Sequence, residues 1–506
     1  MNRGIARSSD LSAFVRAALA CALLSLALPV AAASVRADRE LEQRLRAHIQ
    51  VLASDAFEGR APGTEGEAKT LRYLGKQWFD IGLVSGTNDP GHEWFAPVTL
   101  MARSPDAYSA QFHKKGRPVH VPASQVLALT SGKRSLVREA PLLFVGRAGG
   151  REFTRNELAG RVAVLLDGAR EGDAPTSAAQ NQLLAQGASA VLTVLDGARS
   201  LEEVSAQRRR TGYALAEESI GGDLEAFITR DAMAALLKGT SRSLEDLSGA
   251  ATQADFVPTP LDLAVTLEAT TRETTIRTHN LIGKIAGRRP QAGAVLLMAH
   301  WDHFGRCPEP GAPDAICHGA IDNASGVAGL TEVARRLARG PQPERDIYFV
   351  ATTAEELGLL GAHAFAENPP LPPAQIVAAF NIDSIAIAPR GTPLAIVGRG
   401  MTGLDEEIEK VARGERMTIL PGEAANEFVK RQDGWALMQH DIPAVMVTTA
   451  YGKLERMRSF FAGHYHRPSD DLSQGIELGG AMDDVRILTA LARWFADPKR
   501  VPGKPN

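Results

Sequence analysis

The sequence lacks a strong excess of charge of either sign. The chain of 506 residues has 56 basic and 59 acidic side chains, which gives a formal net charge of -3. A charge this small argues against a nucleic acid as the main partner, because a polyanion is usually bound by a basic surface. Hydrophobic residues make up 44% of the chain and charged residues 23%, so the composition is that of a globular protein and not of a disordered one.

Long apolar runs are also rare. One run, Ala17 to Val30, follows several arginines and precedes a group of alanines. This arrangement predicts a signal peptide over residues 1–33 and a periplasmic or secreted protein, with no stable membrane insertion after the signal is cleaved. A lipid anchor on Cys21 fits less well, because Ala18 stands where a large residue is usual. No later stretch is long and apolar enough to cross a bilayer.

Cysteine is scarce as well. Of three cysteines in the chain, Cys307 and Cys317 lie after the predicted signal peptide. In an oxidising compartment these two could close a disulfide across a loop. Two free thiols are the alternative, and a pair of thiolate metal ligands is less favoured because nitrogen and oxygen ligands are plentiful nearby.

Apolar patterning divides the chain into a main part and an insert. From Asn280 onward, strand and helix patterns alternate, which predicts an α/β fold of three layers with a mostly parallel central sheet. Residues 113–257 instead show short β-type runs between polar loops, which indicates a small β-rich inserted domain. The main, discontinuous domain is then expected over residues 38–112 and 258–500. Its later strands are predicted at Leu281–Ile285, Ala294–Met298, Asp346–Ala351, Ile376–Ile382, Leu394–Val397 and Ala444–Val447, and its later helices at Ser325–Arg339, Glu356–Glu367, Gly403–Arg413 and Gly480–Phe495.

Imidazole and carboxylate side chains stand just after several of these strand patterns. Ligands of an open α/β sheet bind beyond the carboxyl ends of its strands, and zinc and similar cations take such side chains as ligands. Each residue alone has an ordinary explanation as a strand-end polar group, a helix cap or a turn residue. Their succession along one chain predicts a centre for two metal ions. The residues concerned are His300, Asp322, Glu355, Glu356, Asp383 and His466.

Neighbouring residues suggest more specific roles. Asp302 lies two residues after His300 and could accept a hydrogen bond from the far ring nitrogen, which would fix the tautomer of a metal-bound imidazole. The adjacent Glu355 and Glu356 point in different directions, so one can bind metal while the other acts as a general base. His303 ranks lower, as a polar residue of the loop.

The helix patterns after these residues carry two further expectations. Asn323 or Ser325 could cap the helix that follows Asp322, which would leave the Asp322 carboxylate free to bridge two cations. Gly358 and Gly361 follow the paired glutamates, and glycines at such a place indicate close approach of another part of the backbone.

Several motifs resemble those of the M28 family of co-catalytic zinc peptidases. Residues 52–60 look like the opening segment of secreted bacterial members, and residues 158–162 and 186–190 look like their protease-associated (PA) domain. The resemblance covers nearly the whole chain after the predicted signal peptide. The motifs that carry it most specifically are Gly319–Gly326, Ala354–Gly361, Asn381–Asp383 and Tyr465–Asp470.

The resemblance implies a metal-binding role for five residues. His300, Asp322 and Asp383 would hold one zinc ion. Asp322, Glu356 and His466 would hold the other, so that Asp322 bridges the pair.

The resemblance also implies roles around the metals. Glu355 would be the general base, Asp302 would orient the first histidine, and Tyr465 would assist the substrate carbonyl. Many members have a cis peptide after the bridging aspartate, here between Asp322 and Asn323. The chain departs from the family pattern at residues 432–435, where many members carry Ser-Asp-His; this change affects substrate contacts and removes no metal ligand.

These observations predict a zinc-dependent metallo-aminopeptidase, a hydrolase that acts on a peptide substrate. Within the same family, a glutamate-carboxypeptidase-like enzyme is an alternative, which would need a basic pocket; Lys430 and Arg431 are the nearest candidates in sequence. A glutaminyl cyclase of similar fold fits less well with the insert and the paired glutamates. A non-catalytic binding protein on this fold is the remaining alternative, although such relatives usually lack metal ligands that this chain retains.

Overall fold

The chain forms two compact units, residues 1–98 with 277–506, and residues 99–276. The predicted insert, residues 113–257, falls inside the second unit, and the predicted signal peptide lies outside the described residues. Among the described helices, none is long and apolar enough to span a membrane. The computed structural model describes residues 36–503 except 148–150, 169–175, 196, 198, 219–220, 254 and 308–314.

The sheet of the first unit is mostly parallel, as predicted. Its central strands run parallel to one another, and antiparallel strands flank them on both sides. In register, His300 lies opposite Thr352, and Met298 lies opposite Asn381, so the carboxyl ends of three neighbouring strands meet at one edge. In spatial order the strands are Ala395–Val397, Ala444–Thr448, Ile376–Asn381, Ala294–His300, Asp346–Thr352, residues 281–285 of Thr259–Ile285, and Val84–Ser85.

Helices cover both faces of this sheet. Val295 of the central strand packs in one core with Leu330, and the next residue, Leu296, packs in another core with Phe365. Because successive side chains of a strand point to opposite faces, the sheet lies between two helical layers, which confirms the predicted three-layer α/β fold. The helices of this unit are residues 36–52, Glu65–Ile81, Gly326–Ala338, Leu360–Glu367, Asp405–Gly414, Gly434–Met438, Leu454–Gly463 and Leu478–Phe495, with short helical turns at Asp55–Arg60, Pro290–Ala292, Ala320–Ser325, Pro373–Gln375, Ala424–Arg431 and Ala450–Gly452.

The helix predicted from Glu356 begins later than expected, at Leu360. Ala354, Gly358 and Leu359 have positive φ angles of 53°, 117° and 59°. A right-handed helix cannot contain such residues, so the paired glutamates lie in a turn between the strand and the helix.

The second unit has a hydrophobic core of its own. Strand Arg134–Arg147 runs parallel to Val162–Leu166, which continues through parallel pairs to Ala190–Val194 and Leu224–Ile228. The predicted β-rich insert therefore contains helices as well as strands. That it is a protease-associated domain stays a prediction. The further strands are Phe95–Lys114, Arg117–Val119, Val126–Thr130, Gly212–Leu215 and residues 259–276 of Thr259–Ile285, and the helices are Arg155–Leu158, Thr176–Ala185, Leu201–Arg208, Arg230–Leu237 and Leu244–Ala250.

Candidate metal centre

The first predicted group of ligands lies together at the carboxyl edge of the sheet. His300 ends its strand, and its Nε2 atom is 3.3 Å from Oδ1 of Asp322 and 3.7 Å from Oδ1 of Asp383. Asp322 precedes the helix Gly326–Ala338, and Asp383 follows the strand Ile376–Asn381. Each of the three side chains offers one ligand atom within 4.8 Å of the others, and all three residues are buried.

The second predicted group lies on the other side of Asp322. Nε2 of His466 is 2.9 Å from Oε2 of Glu356 and 3.4 Å from Oδ2 of Asp322. Asp322 therefore directs its two carboxylate oxygens toward two different imidazole rings, with His300 on one side and His466 on the other.

Several polar atoms in this cluster are buried without a hydrogen bond. They include Nε2 of His300, Nε2 of His466 and Oδ2 of Asp322. Buried polar atoms are normally paired, and imidazole nitrogens and carboxylate oxygens are the ligands that zinc takes in peptidases. The residues present therefore fit a zinc centre, and their assignment as ligands stays a prediction.

The carboxylates give the cluster a strong negative field. Burial alone would lower the pKa of His466, but the adjacent carboxylates of Asp322 and Glu356 raise it to about 9. Burial raises the pKa of Glu355 well above its ordinary range, and Glu356 and Asp383 add to that effect. Carboxylates gathered in this way are suited to bind cations.

His303 belongs to the same cluster, although its sequence position alone ranked it low. Its Nδ1 atom contacts the carboxylate of Glu356, and its Nε2 atom is buried without a hydrogen bond. With Asp322 and Glu356 it forms a third group of ligand atoms within 4.8 Å of one another. The only sequence signal for this role is its place three residues after His300.

The backbone carbonyl of Asp302, and not its carboxylate as expected, is the group nearer to Nδ1 of His300. Nδ1 of His300 is 3.3 Å from the backbone carbonyl oxygen of Asp302 and 3.8 Å from its carboxylate. The carboxylate instead accepts the backbone N–H groups of Glu355 at 3.1 Å and Glu356 at 3.4 Å. Burial raises the pKa of Asp302 to about 8. Asp302 thus supports the turn that carries both glutamates.

Asn323 caps the helix after Asp322, one of the two residues proposed for that role. Its Oδ1 accepts the backbone N–H of Gly326 at 2.9 Å and that of Ser384 at 3.2 Å. The peptide bond between Asp322 and Asn323 is cis, as the resemblance implied. Asp470, for which the sequence indicates no separate role, accepts the backbone N–H groups of Ile321 at 2.9 Å and Asp322 at 3.0 Å.

Tyr465 stacks on the ring of His466, with centroids 3.5 Å apart and planes 25° apart. The Arg431 guanidinium lies 5.3 Å from the Tyr465 ring centroid and 4.6 Å from that of Phe461. The predicted role of Tyr465 toward a substrate carbonyl stays a prediction.

The two later cysteines pair. Cys307 and Cys317 form a disulfide with their Cα atoms 5.7 Å apart. Gly305 and Cys317 also pair in a short antiparallel ladder. The disulfide therefore closes the loop between His300 and Asp322.

Comparison with known proteins identifies the class of the first unit. Residues 280–490 match the family model "Peptidase family M28". This match lies entirely within the first unit, which in this part is similar to the M28 peptidases. The fold is similar to that of an aminopeptidase from Aneurinibacillus sp. strain AM-1, with a TM-score of 0.53 and 18% identity over 92% of this chain and 96% of that one. A zinc aminopeptidase from Bacillus subtilis has a TM-score of 0.44 and 18% identity over 92% of this chain and 96% of its own.

A vacuolar membrane protease from Candida albicans is 37% identical over 91 residues, which are 18% of this chain and 10% of that protein. The match thus spans about a tenth of the length of such curated relatives. Others of the same name come from Lachancea thermotolerans and Pyricularia oryzae. The prediction of a periplasmic or secreted location is wrong by this comparison, because these relatives are named as proteases of the vacuolar membrane.

Proposed function

We propose that this chain is a zinc-dependent metallo-aminopeptidase that removes N-terminal residues from peptides. The observation that carries the proposal is the position of Asp322, whose two oxygens face His300 at 3.3 Å and His466 at 3.4 Å. A carboxylate that faces two imidazoles in this way is suited to bridge two metal ions. We propose two zinc ions per chain, with Asp383 and Glu356 completing the two groups of ligands.

The residues around this centre would carry out hydrolysis as follows. Zinc, when bound, supplies Lewis acidity that lowers the pKa of water and polarises a scissile carbonyl. Glu355 would accept the proton of the attacking water at its carboxylate and deliver it to the leaving amine. Burial, together with the nearby carboxylates of Glu356 and Asp433, raises the pKa of Glu355 above its ordinary range, which favours proton uptake at this carboxylate.

The sign of the local field favours an aminopeptidase. Carboxylates around the centre raise the pKa of His466 to about 9. Carboxylates outside the two proposed ligand groups, such as Glu355, would attract the ammonium group of a free peptide N-terminus. A peptide would therefore enter with its N-terminus toward the cluster.

A carboxypeptidase is the second candidate, and Arg431 is the observation in its favour. Its guanidinium lies over the rings of Phe461 and Tyr465, and it forms no ion pair with any residue that the structure describes. Such an exposed cation beside Tyr465 could bind a substrate carboxylate. The ammonium group of Lys430 lies over the ring of Trp435, 5.3 Å from the centroid, and not over that of Tyr465.

One peptide in four forms separates the two candidates: both ends free, N-terminus acetylated, C-terminus amidated, and both ends blocked. We expect the zinc-loaded protein to release N-terminal residues from the free and amidated forms only. An Arg431→Ala variant should keep its activity on the amidated form. Release of C-terminal residues from the acetylated form, with loss of that activity in Arg431→Ala, would support the carboxypeptidase instead.

A further inference from the structure

Arg60 lies in the opening segment of the chain, far in sequence from the metal cluster, yet its side chain is only 1% exposed. The guanidinium forms no ion pair with a described residue and is held entirely by backbone carbonyl oxygens. Its acceptors are Leu52 O at 2.8 Å, Trp301 O at 2.9 Å, His318 O at 2.6 Å and Gly319 O at 3.0 Å.

Three of these carbonyl groups, those of Trp301, His318 and Gly319, belong to two backbone segments that supply predicted metal ligands. Trp301 lies between His300 and Asp302, and Gly319 lies three residues before Asp322. A single guanidinium therefore joins both ends of the disulfide-closed loop. A backbone hydrogen bond links the same segments, because the N–H of His303 donates to the carbonyl oxygen of Arg60 at 3.3 Å.

The anionic cluster compensates the buried charge of Arg60. Burial lowers the pKa of Arg60, but the nearby carboxylates of Asp470, Asp302 and Asp322 oppose that effect, and the pKa settles at about 10. The side chain thus stays protonated at neutral pH. A buried guanidinium without such neighbours would be costly, so the cluster and Arg60 stabilise one another.

The backbone around Arg60 is shaped for this insertion. Glu58, Gly59 and Arg60 have consecutive positive φ angles of 51°, 68° and 52°. A Cβ atom on Gly59 would lie 2.4 Å from the carbonyl oxygens of both Gly305 and Cys317. Non-glycine residues in this region are strained, and such strain persists only where the surroundings fix it.

We propose that Arg60 is a positioning residue of the metal centre, which fixes the relative place of His300 and Asp322 through its forked hydrogen bonds. The inference rests on the proposed metal-dependent function. A residue that orients ligands in this way typically changes metal affinity by about 10–100-fold when it is removed.

The test measures zinc affinity of the full chain by competition with a chromophoric chelator, without any substrate. Arg60→Met should weaken zinc binding by about 10–100-fold. Arg60→Lys keeps the charge but cannot span several carbonyl groups with one ammonium, so it should weaken binding to an intermediate degree. If Arg60→Met does not fold, Arg60→Lys alone carries the test, and unchanged zinc affinity in that variant would overturn the proposal.

Arg345 supplies a matched control. It is also fully buried and donates to backbone carbonyls, Ala292 O at 2.9 Å and Phe495 O at 2.6 Å, but its charged neighbours are Asp497 and Arg289. Arg345→Met should lower stability without changing zinc affinity by more than about twofold. An equal loss of affinity in Arg345→Met would mean that Arg60 acts through general stability, which overturns the proposal. Wild-type protein that binds zinc but hydrolyses no peptide would contradict the proposed function and leave this inference standing.

Discussion

The carboxylate of Asp302 accepts the backbone N–H of Glu355 at 3.1 Å. It also accepts the N–H of Glu356, while the Asp302 carbonyl faces Nδ1 of His300 at 3.3 Å. One residue thus joins a predicted metal ligand to the turn that carries the predicted base. Its removal should therefore affect metal binding and turnover together.

For two variants of Asp302, we predict losses of zinc affinity that differ in size. Asp302→Asn keeps one acceptor oxygen and should lower zinc affinity by about 10-fold, and Asp302→Ala should lower it by about 100-fold. The value of kcat should fall in both variants, because the turn at Glu355 loses its support. Chelator competition and steady-state kinetics check this, and equal kcat values in Asp302→Ala and wild type would contradict it.

Asp470 should anchor the backbone of the bridging aspartate. Asp470→Ala leaves the N–H groups of Ile321 and Asp322 buried without an acceptor, which should cost about 2–5 kcal/mol of unfolding free energy and weaken zinc binding. Among the described residues, its neighbour Asp471 accepts only from Ser473, so Asp471→Ala is the control and should cost less than about 1 kcal/mol. Urea unfolding measures the unfolding free energy of both variants. A similar loss of unfolding free energy in the two variants would refute the role of Asp470.

Glu332 should make stability depend on pH in the acid range. Burial alone would raise its pKa, but hydrogen bonds from His48, Arg44 and Arg335 lower it from 4.5 to about 2. The group therefore contributes stability above about pH 4.5, and this contribution, at most about 3 kcal/mol, is lost as the pH falls toward 2.

The difference in unfolding free energy between wild type and Glu332→Gln should thus be largest near neutral pH and shrink below pH 4.5. Glu455→Gln, at an exposed glutamate, should show no difference at any pH. Chemical unfolding at several pH values checks this. A constant difference in unfolding free energy for Glu332→Gln across the acid range would contradict the assigned contacts of Glu332 with His48, Arg44 and Arg335.

The sequence predicts the elements best where local pattern and tertiary burial agree. The strands Ala294–His300 and Asp346–Thr352 begin where their apolar patterns place them. The helix predicted from Glu356 begins late because contacts from distant residues hold the preceding turn. Asn280 accepts the N–H of Thr353 at 2.9 Å, and Asp302 holds the next residues of that turn. No window of local sequence contains those partners.

Site residues, too, can be predicted only where local sequence determines their position. Those that follow strand ends, such as His300 and Asp383, can be predicted because strand ends meet at one edge of a parallel sheet. The role of Arg60 could not be predicted from the sequence. Two of its acceptors, the carbonyl oxygens of Trp301 and Gly319, lie 241 and 259 residues away, and every residue has such a backbone carbonyl. His303 likewise needs the position of Glu356 before its role is visible.

The most direct test of the account is the rate of peptide hydrolysis by Glu355→Gln at a zinc content matched to wild type. The substituted amide side chain has nearly the shape of the glutamate but cannot take up a proton. We expect near-normal zinc content and a fall in kcat by about 100-fold or more. A Glu355→Gln variant that binds zinc normally and hydrolyses peptides at close to the wild-type rate would contradict the central claim.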